Sequence, residues 1–381
     1  MKRNYLLSDS IISPLGFGTD ANLKAIRSGG SALKFHTNSR FLKDGFYAGL
    51  IPEKAIDEHF SDIGAPAMFT KLEKLMILAV QQILDQNPGL EMQDTGLIIS
   101  TTKGSIDQLG KDEFPEDRLF LWKLAEVIAD FFQIKKKPVV VSNACISGAL
   151  AVKTANDLIT AGRFLNAIVV AGDLVSDFVL SGFQSFQAIS EKPCRPFSSD
   201  RTGISLGEAS AAILIGPEAG KNEDRISYID ACTANDANHI SGPSRTGEGL
   251  YLSISRLLAA NNIEPEEIDY LSAHGTATEF NDEMEAIAFN RAGLEKVPVN
   301  SFKGYYGHTL GASALIETIL TKHSLLENEL FTSLNFSEVG VSIPLNIIKE
   351  NRNKKLSLAL KTASGFGGCN LAMLLKKEVY E

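Results

Sequence analysis

Val139-Val140-Val141-Ser142-Asn143-Ala144-Cys145-Ile146-Ser147-Gly148-Ala149-Leu150 is the stretch around which the rest of the chain is arranged. Three β-branched residues favour a buried strand, and the small residues after them suit a tight turn. Ala149, Ala151, Val152, Ala155 and Leu158 then recur at helical spacing. The pattern is strand, turn and helix start, with Cys145 at the turn. A thiol there faces the positive end of a helix dipole and several unpaired backbone N–H groups, which favour thiolate. Cys145 is therefore a candidate nucleophile. The competing reading is a small apolar residue packed under a helix, the usual fate of a free cysteine.

The surrounding chain has 381 residues, 44% of them hydrophobic and 22% charged, an ordinary soluble composition. That length calls for two packed halves or one large α/β unit. The four cysteines at 145, 194, 232 and 369 form no CxxC pair, and the six histidines do not cluster at ligand spacing. No zinc signal or disulfide framework results, so no metal is expected. A net charge of −9 argues against nucleic acid as a partner. No apolar run of signal-peptide or membrane length follows Met-Lys-Arg-Asn-Tyr, so a cytoplasmic protein is expected.

Read in order, β and α patterns alternate. Strands are expected at 5–7, 95–101, 139–141, 167–171 and 211–215 in the first half. They follow at 226–231, 268–272, 297–300, 356–360 and 371–375 in the second. Helices are expected over about 19–28, 69–86, 118–134, 247–261 and 309–326, with another starting near Glu279. Residues 40–65 read as irregular and 177–207 as loop-rich. The alternation implies sheets covered by helices. The two halves, 1–217 and 218–381, have similar element order without a repeat by residue identity.

Four post-strand loops concentrate small residues around a reactive group, and such loops gather where ligands bind. They are Asn143-Ala144-Cys145, His274-Gly275-Thr276-Ala277-Thr278, Lys303-Gly304-Tyr305-Tyr306-Gly307-His308, and Gly365-Phe366-Gly367-Gly368-Cys369-Asn370. Singly, each histidine, the lysine and the glycines have bland readings as structural or solvated residues. Together they resemble a β-ketoacyl synthase, an elongating condensing enzyme of the thiolase superfamily. His-Gly-Thr-x-Thr with Asn281, Asp282 and Glu285, Lys303 with Gly307-His308, and Gly-Phe-Gly-Gly-x-Asn fall in that family's order. Arg195-Pro196-Phe197 with Asp200, Arg201, Gly203, Gly207 and Glu208 adds a fifth motif. The resemblance runs from about Ser13 to Leu375.

The resemblance implies an α/β thiolase-like fold in which two similar βα halves form a five-layered αβαβα sandwich. It implies an acyltransferase that joins a Cys145-bound acyl chain to malonyl-[acyl carrier protein] in a decarboxylative Claisen condensation, in fatty acid, polyene or polyketide synthesis. Cys145 holds the acyl group, and the N–H groups of Cys145 and Phe366 form the oxyanion hole. His274 and His308 stabilise the enolate as neutral donors. Lys303 is expected behind His308, with Glu285 as its counter-ion, and Asp282, Thr276 and Thr278 in support. Phe366 is also placed as a gate. Arg195, Asp200, Arg201 and Glu208 are read as a structural network near the entrance, and Cys369 as a buried bystander.

The implied partner is an acyl carrier protein, whose phosphopantetheine carries the substrate; no other cofactor is implied. An acidic carrier needs a basic dock. Lys71, Lys74 and Arg201 are the candidates, while Lys135-Lys136-Lys137 reads as a solvated turn. A dimer paired through 139–141 is implied, either with a second copy or with a related subunit. The chain departs from the family pattern in Asn143 before Ala-Cys, in Ala277 where glycine is usual, in its short length and in an acidic 111–118 loop. Two alternatives stay open: a non-catalytic chain-length-factor-like subunit, and a coenzyme A-dependent thiolase.

Overall fold

The computed structural model describes residues 3–37, 39, 42, 44–217, 224–236 and 242–380. Among the described residues eleven strands build its main sheet, ten in one continuous order and the short Gly16–Phe17 strand beside the first of them. Of the ten, the first five are β1 (Asn4–Ser13), β2 (Thr95–Ser100), β3 (Val139–Val141), β4 (Asn166–Asp173) and β5 (Ala209–Gly216). The second five are β6 (Arg225–Asn235), β7 (Tyr270–Ser272), β8 (Val299–Asn300), β9 (Leu358–Gly365) and β10 (Cys369–Glu378). Their spatial order is β3-β2-β4-β5-β1 followed by β6-β10-β9-β7-β8. Numbered within its own half and read from its outer edge inward, each set runs third, second, fourth, fifth, first. The pairings match as well. The second strand runs parallel to the third and fourth, and the fifth is antiparallel to the fourth and first. The similarity of order read from the sequence is thus a repeated topology. A short antiparallel ladder, Asn4–Leu6 with Ile226–Tyr228, joins the halves edge to edge. The expected boundary at 217/218 abuts residues 218–223, which lie outside the described residues.

Burial on both faces explains the long apolar runs in these strands. Side chains alternate between two cores along each strand. Ile98, Val169, Ile213, Met373 and Leu375 point to a central core, and Leu97, Ile99, Ile168 and Leu214 point to an outer one. Helix α1 (Lys71–Gln86) covers that outer face with Leu72, Met76, Val80 and Ile83. The central core is filled by α2 (Ser147–Thr160) and by α5 (Ser313–Glu327). On the far side, α3 (Glu248–Asn261) and α4 (Glu279–Arg291) cover Leu271, Leu360 and Leu374. The five layers are therefore helix, sheet, helix, sheet, helix.

Some expected boundaries shift. The first strand continues past Leu7 because Asp9, Ser10 and Ser13 are buried with partners, Asp9 on Lys322, Ser10 on Gln82 and Ser13 on Asn22. The 118–134 helix is shorter, Leu121–Phe131. The 40–65 stretch holds a helix, Glu53–Phe60, whose sequence shows little periodicity because it buries only Ile56 and Phe60. The 177–207 stretch opens with a helix, Asp177–Ser185, capped by the Ser176 hydroxyl. Among the described residues no helix is long and apolar enough to cross a membrane.

The two central helices cross where Gly148 has no side chain. A Cβ there would stand 2.6 Å from the Leu315 backbone nitrogen and 2.9 Å from the Gly311 oxygen. Gly148→Ala is expected to lose about 1–3 kcal/mol of stability through overpacking against rigid backbone. Thermal melting of the variant checks this, and a melt superimposable on the parent's would contradict it.

Candidate active site

The third strand of each half leads into its central helix, and the two turns meet. After β3, Ala144 adopts a left-handed φ of 43°. Ser147 pins this turn: its Oγ accepts the Asn143 N–H at 2.7 Å and donates to the Ala144 oxygen at 2.6 Å. Cys145 is thereby presented at the start of α2 with 7% of its surface exposed. The Phe366 backbone N–H is aimed at its sulfur. Burial, then the neighbouring Cys369, push the thiol up to about 12, against the pull of Lys303, Lys103 and that N–H. The expected resting thiolate is corrected here. The helix start does not offset the loss of water around a fully enclosed sulfur.

After β8, Gly307 at φ 73° turns the chain so that the His308 N–H reaches the Ser205 oxygen at 2.7 Å. His308 Nδ1 accepts the Leu310 backbone N–H at 3.0 Å and lies 2.9 Å from Ser313 Oγ. His274 follows β7. Its own N–H and that of Gly275 donate to Glu285 at 2.8 and 2.6 Å. Asp282, three residues earlier on α4, accepts the N–H groups of Thr276 and Ala277 at 2.9 and 3.2 Å. It also accepts that of Phe197 at 2.6 Å. These two carboxylates hold the His-Gly-Thr-Ala-Thr loop, including Ala277 at φ 65°. Only a firmly held loop keeps a non-glycine residue there.

Lys303 stands beside His274 rather than behind His308. Its Nζ is 3.2 Å from His274 Nδ1 and also donates to the His274 carbonyl. Its counter-ion is Glu317, 2.7 Å away on α5. Glu285 instead serves the backbone of the histidine loop and the Asn281 amide. Glu317 was the residue missed. Its signal is a single carboxylate inside the apolar run Ala314-Leu315-Ile316-Glu317-Thr318-Ile319.

Both imidazoles are held neutral, well below the ordinary histidine range. Burial comes first; the Lys303 charge comes next, with Lys103 acting further on His308. The Nδ1 of His308 faces a backbone N–H and that of His274 an ammonium, so each ring carries its proton on Nε2. The rings meet edge to face, 82° apart with centroids 5.2 Å apart. Cys145 Sγ and one nitrogen from each ring lie within 4.8 Å of one another. With both Nδ1 atoms engaged, this donor set offers the hydrogens of its other ring nitrogens. It fits an oxyanion.

A cavity of about 610 Å³ opens from this cluster, lined by Cys145, His274, His308, Thr276, Thr278 and Phe366 among others. Thr276 and Thr278 hydroxyls lie 2.8 Å apart. Phe366 is 37% exposed and packs on Phe183 and Phe186 at centroid distances of 5.5 and 5.2 Å. Its loop is tethered through Asn370 of the Gly-Phe-Gly-Gly-x-Asn motif and through Asp236, which no sequence motif marks. Asn370 donates to Asp236 at 3.1 Å, and the Asp236 N–H reaches the Gly368 oxygen at 2.8 Å. Cys369 Sγ lies 3.6 Å from the Phe366 oxygen and 3.8 Å from that of Asn143, and burial pushes its thiol up to about 11.

The three proposed docking cations are held inside the fold. Lys74 is buried and paired with Glu53 and Asp57 at 3.1 and 2.5 Å. Lys71 pairs with Glu208 at 2.6 Å. Arg201 donates to the carbonyls of Ser198, Gly340 and Glu279. The two lysines are thus paired with carboxylates, whereas Arg201 bonds neutral carbonyls and lies on the wall of the cavity. Arg195 pairs with Asp200, while Glu208 also accepts the backbone N–H groups of Ile51 and Val175, so the entrance motif is structural.

Fold and site together define a cysteine acyltransferase with a two-histidine oxyanion site. Residues 7–219 match the β-ketoacyl synthase N-terminal domain and 226–337 its C-terminal domain. The chain belongs to the β-ketoacyl synthase family of condensing enzymes. It is 25% identical to a Schizosaccharomyces pombe protein assigned as a mitochondrial 3-oxoacyl-[acyl-carrier-protein] synthase, over 99% of both chains. It is 29% identical to 3-oxoacyl-[acyl-carrier-protein] synthase 2 of Rhizobium meliloti, over 62% of this chain and 60% of that one. A chain of the complex between the ketosynthase ApeO and its chain length factor ApeC, from Xenorhabdus doucetiae, superposes with a TM-score of 0.86. That comparison gives 25% identity and covers 99% of this chain and 98% of the other.

The raised Cys145 thiol fixes a pH dependence. The thiolate fraction grows with pH throughout the range below about 12. Carboxamidomethylation of Cys145 by iodoacetamide should therefore accelerate by about tenfold per pH unit between about pH 7 and pH 9. Peptide mass spectrometry follows it. A plateau inside that window would show a thiolate already formed.

Proposed function

We propose that this protein extends an acyl chain by decarboxylative condensation with malonyl-[acyl carrier protein], giving the 3-oxoacyl-[acyl carrier protein]. The observation that carries this is a nitrogen of each of His274 and His308 within 4.8 Å of the Cys145 sulfur, with the Nδ1 of both rings already engaged.

In the first half-reaction Cys145 attacks the carrier thioester. The N–H groups of Cys145 and Phe366 take the developing oxyanion. The leaving carrier sulfur takes the proton that Cys145 gives up. No imidazole accepts it at Nε2, since that nitrogen is already protonated. In the second half-reaction malonyl thioester loses CO₂, and its enolate oxygen is held by His274 and His308. The enolate carbon then attacks the Cys145 thioester, the carbon–sulfur bond breaks, and the cysteine thiolate is reprotonated. Thr276 and Thr278, on the cavity wall, suit the amide-bearing phosphopantetheine arm of the carrier. No metal or cofactor of the protein's own enters the cycle.

We also propose a cytoplasmic dimer. The edge strand β3 carries half-buried Val139 and Val140, and the neighbouring helix brings exposed Phe120 and Trp122. Edge strands with apolar flanks favour pairing with a partner. The partner is a second copy or a related subunit of the chain-length-factor kind. The chain itself is the catalytic member, because it keeps Cys145, His274, His308 and Lys303 together.

Mass spectrometry after incubation with acyl carrier substrate should show an acyl adduct that Cys145→Ser lacks. His274→Ala and His308→Ala should still load acyl groups while malonyl decarboxylation falls about 10²–10³-fold each. Decarboxylation at the parent rate in both variants would refute the enolate assignment.

A further inference from the structure

The condensation chemistry leaves one buried charge without a role. Lys361 lies on β9, beside Ser272 in the parallel register with β7. It is fully buried, and so are Lys303 and Glu317. A lysine ammonium sealed from water in a sheet interior costs heavily unless paired. The pairing is specific. Glu317 offers one oxygen to Lys303 at 2.7 Å and the other to Lys361 at 2.8 Å. The remaining Lys361 donors reach the carbonyls of Ser272 and Thr362, with Ala273 at 3.5 Å. Ser272 and Ala273 are the last two residues before His274.

One carboxylate therefore serves two ammonium groups. If Glu317 faced Lys303 alone, the pair would be nearly neutral and its field at His274 weak. Shared with Lys361, Glu317 answers two ammonium groups, while the other facing carboxylate, Glu285, is engaged by the N–H groups of His274 and Gly275, so the field beside the Nδ1 face of that ring is more positive than Lys303 and Glu317 alone would make it. We propose that Lys361 is a positioning residue for decarboxylation: through Glu317 and the β7 carbonyls it fixes Lys303 and adds the second positive charge that keeps His274 a neutral Nε2–H donor. The groups facing Lys361 are Glu317 from α5, Lys303 from the Lys303–Tyr306 turn, Glu285 from α4 and His274 from its loop. The direction agrees with geometry: Lys361 lowers the proton affinity of His274, after burial, Lys303 and His308, and while burial pulls Lys361's own proton affinity down, Glu317 and Glu285 hold it up. The role deepens the condensing reading and rests on it.

The test measures malonyl-[acyl carrier protein] decarboxylation against pH for the parent, Lys361→Met, Lys361→Gln and Lys361→Arg. Circular dichroism verifies the fold, and mass spectrometry follows acyl loading of Cys145. Removing the charge lets His274 take a proton more readily. The acid limb of kcat should then move up by on the order of one pH unit in both neutral variants. The loss of kcat should be on the order of tenfold on the acid side of the parent's limb and fade toward neutral pH, with KM within about twofold and acyl loading retained. Lys361→Arg should return the limb toward the parent. A folded neutral variant with an unmoved limb overturns the proposal, and so does failure of both neutral variants to fold, which would make Lys361 purely structural. A parent that decarboxylates no malonyl substrate would instead overturn the condensing reading.

Discussion

An ammonium group 3.2 Å from an imidazole nitrogen decides what His274 can do. Lys303 is sealed from water, and its charge is answered by Glu317 at 2.7 Å. An imidazolium beside it would add a like charge in a medium that screens little. His274 is therefore neutral and has its acceptor nitrogen engaged. The only thing it can present to the cavity is a hydrogen. His308 reaches the same state by another route, because a backbone N–H from Leu310 occupies its Nδ1. Two different constraints yield two identical donors, and a site that takes an oxyanion needs both.

The repeated topology explains why these donors meet a cysteine. In each half the third strand runs into the central helix, so the turn after β3 and the turn after β8 approach each other at the crossing of α2 and α5. Cys145 rides on one and His308 on the other. His274 and Phe366 come from the ends of β7 and β9, the strands next in line. Gly148 and Gly311 lie at the crossing, where a Cβ on Gly148 would meet backbone. Close helix approach and the compact site are thus one requirement, and the stability of Gly148 variants reports on both.

How far the sequence reveals this depends on the range of each interaction. The strand–turn–helix at Cys145 and the glycine-marked loops are local patterns, and they are legible. Which histidine Lys303 serves is not. It lies five residues from His308 and 29 from His274 along the chain, yet it contacts the latter. The pairing of the docking lysines is hidden for a related reason. Glu53 and Asp57, which neutralise Lys74, belong to the helix that the irregular 40–65 stretch conceals. The thiol fails on energetics: a helix start was weighed for its favourable field, while the loss of hydration that outweighs it depends on loops far away in sequence, chiefly the one bearing Phe366.

The neutral thiol and the locked tautomers constrain each other. If either ring had a free site-facing lone pair, it would draw the Cys145 proton and form a resting ion pair, and it would also offer a ligand to a stray divalent cation. With both lone pairs turned away, the thiol keeps its proton until a thioester arrives to take it on the departing sulfur. The same orientation leaves both hydrogens free for the enolate formed later. One arrangement of Nδ1 partners thus postpones the first half-reaction until substrate is present and prepares the second, without either histidine changing its protonation between them.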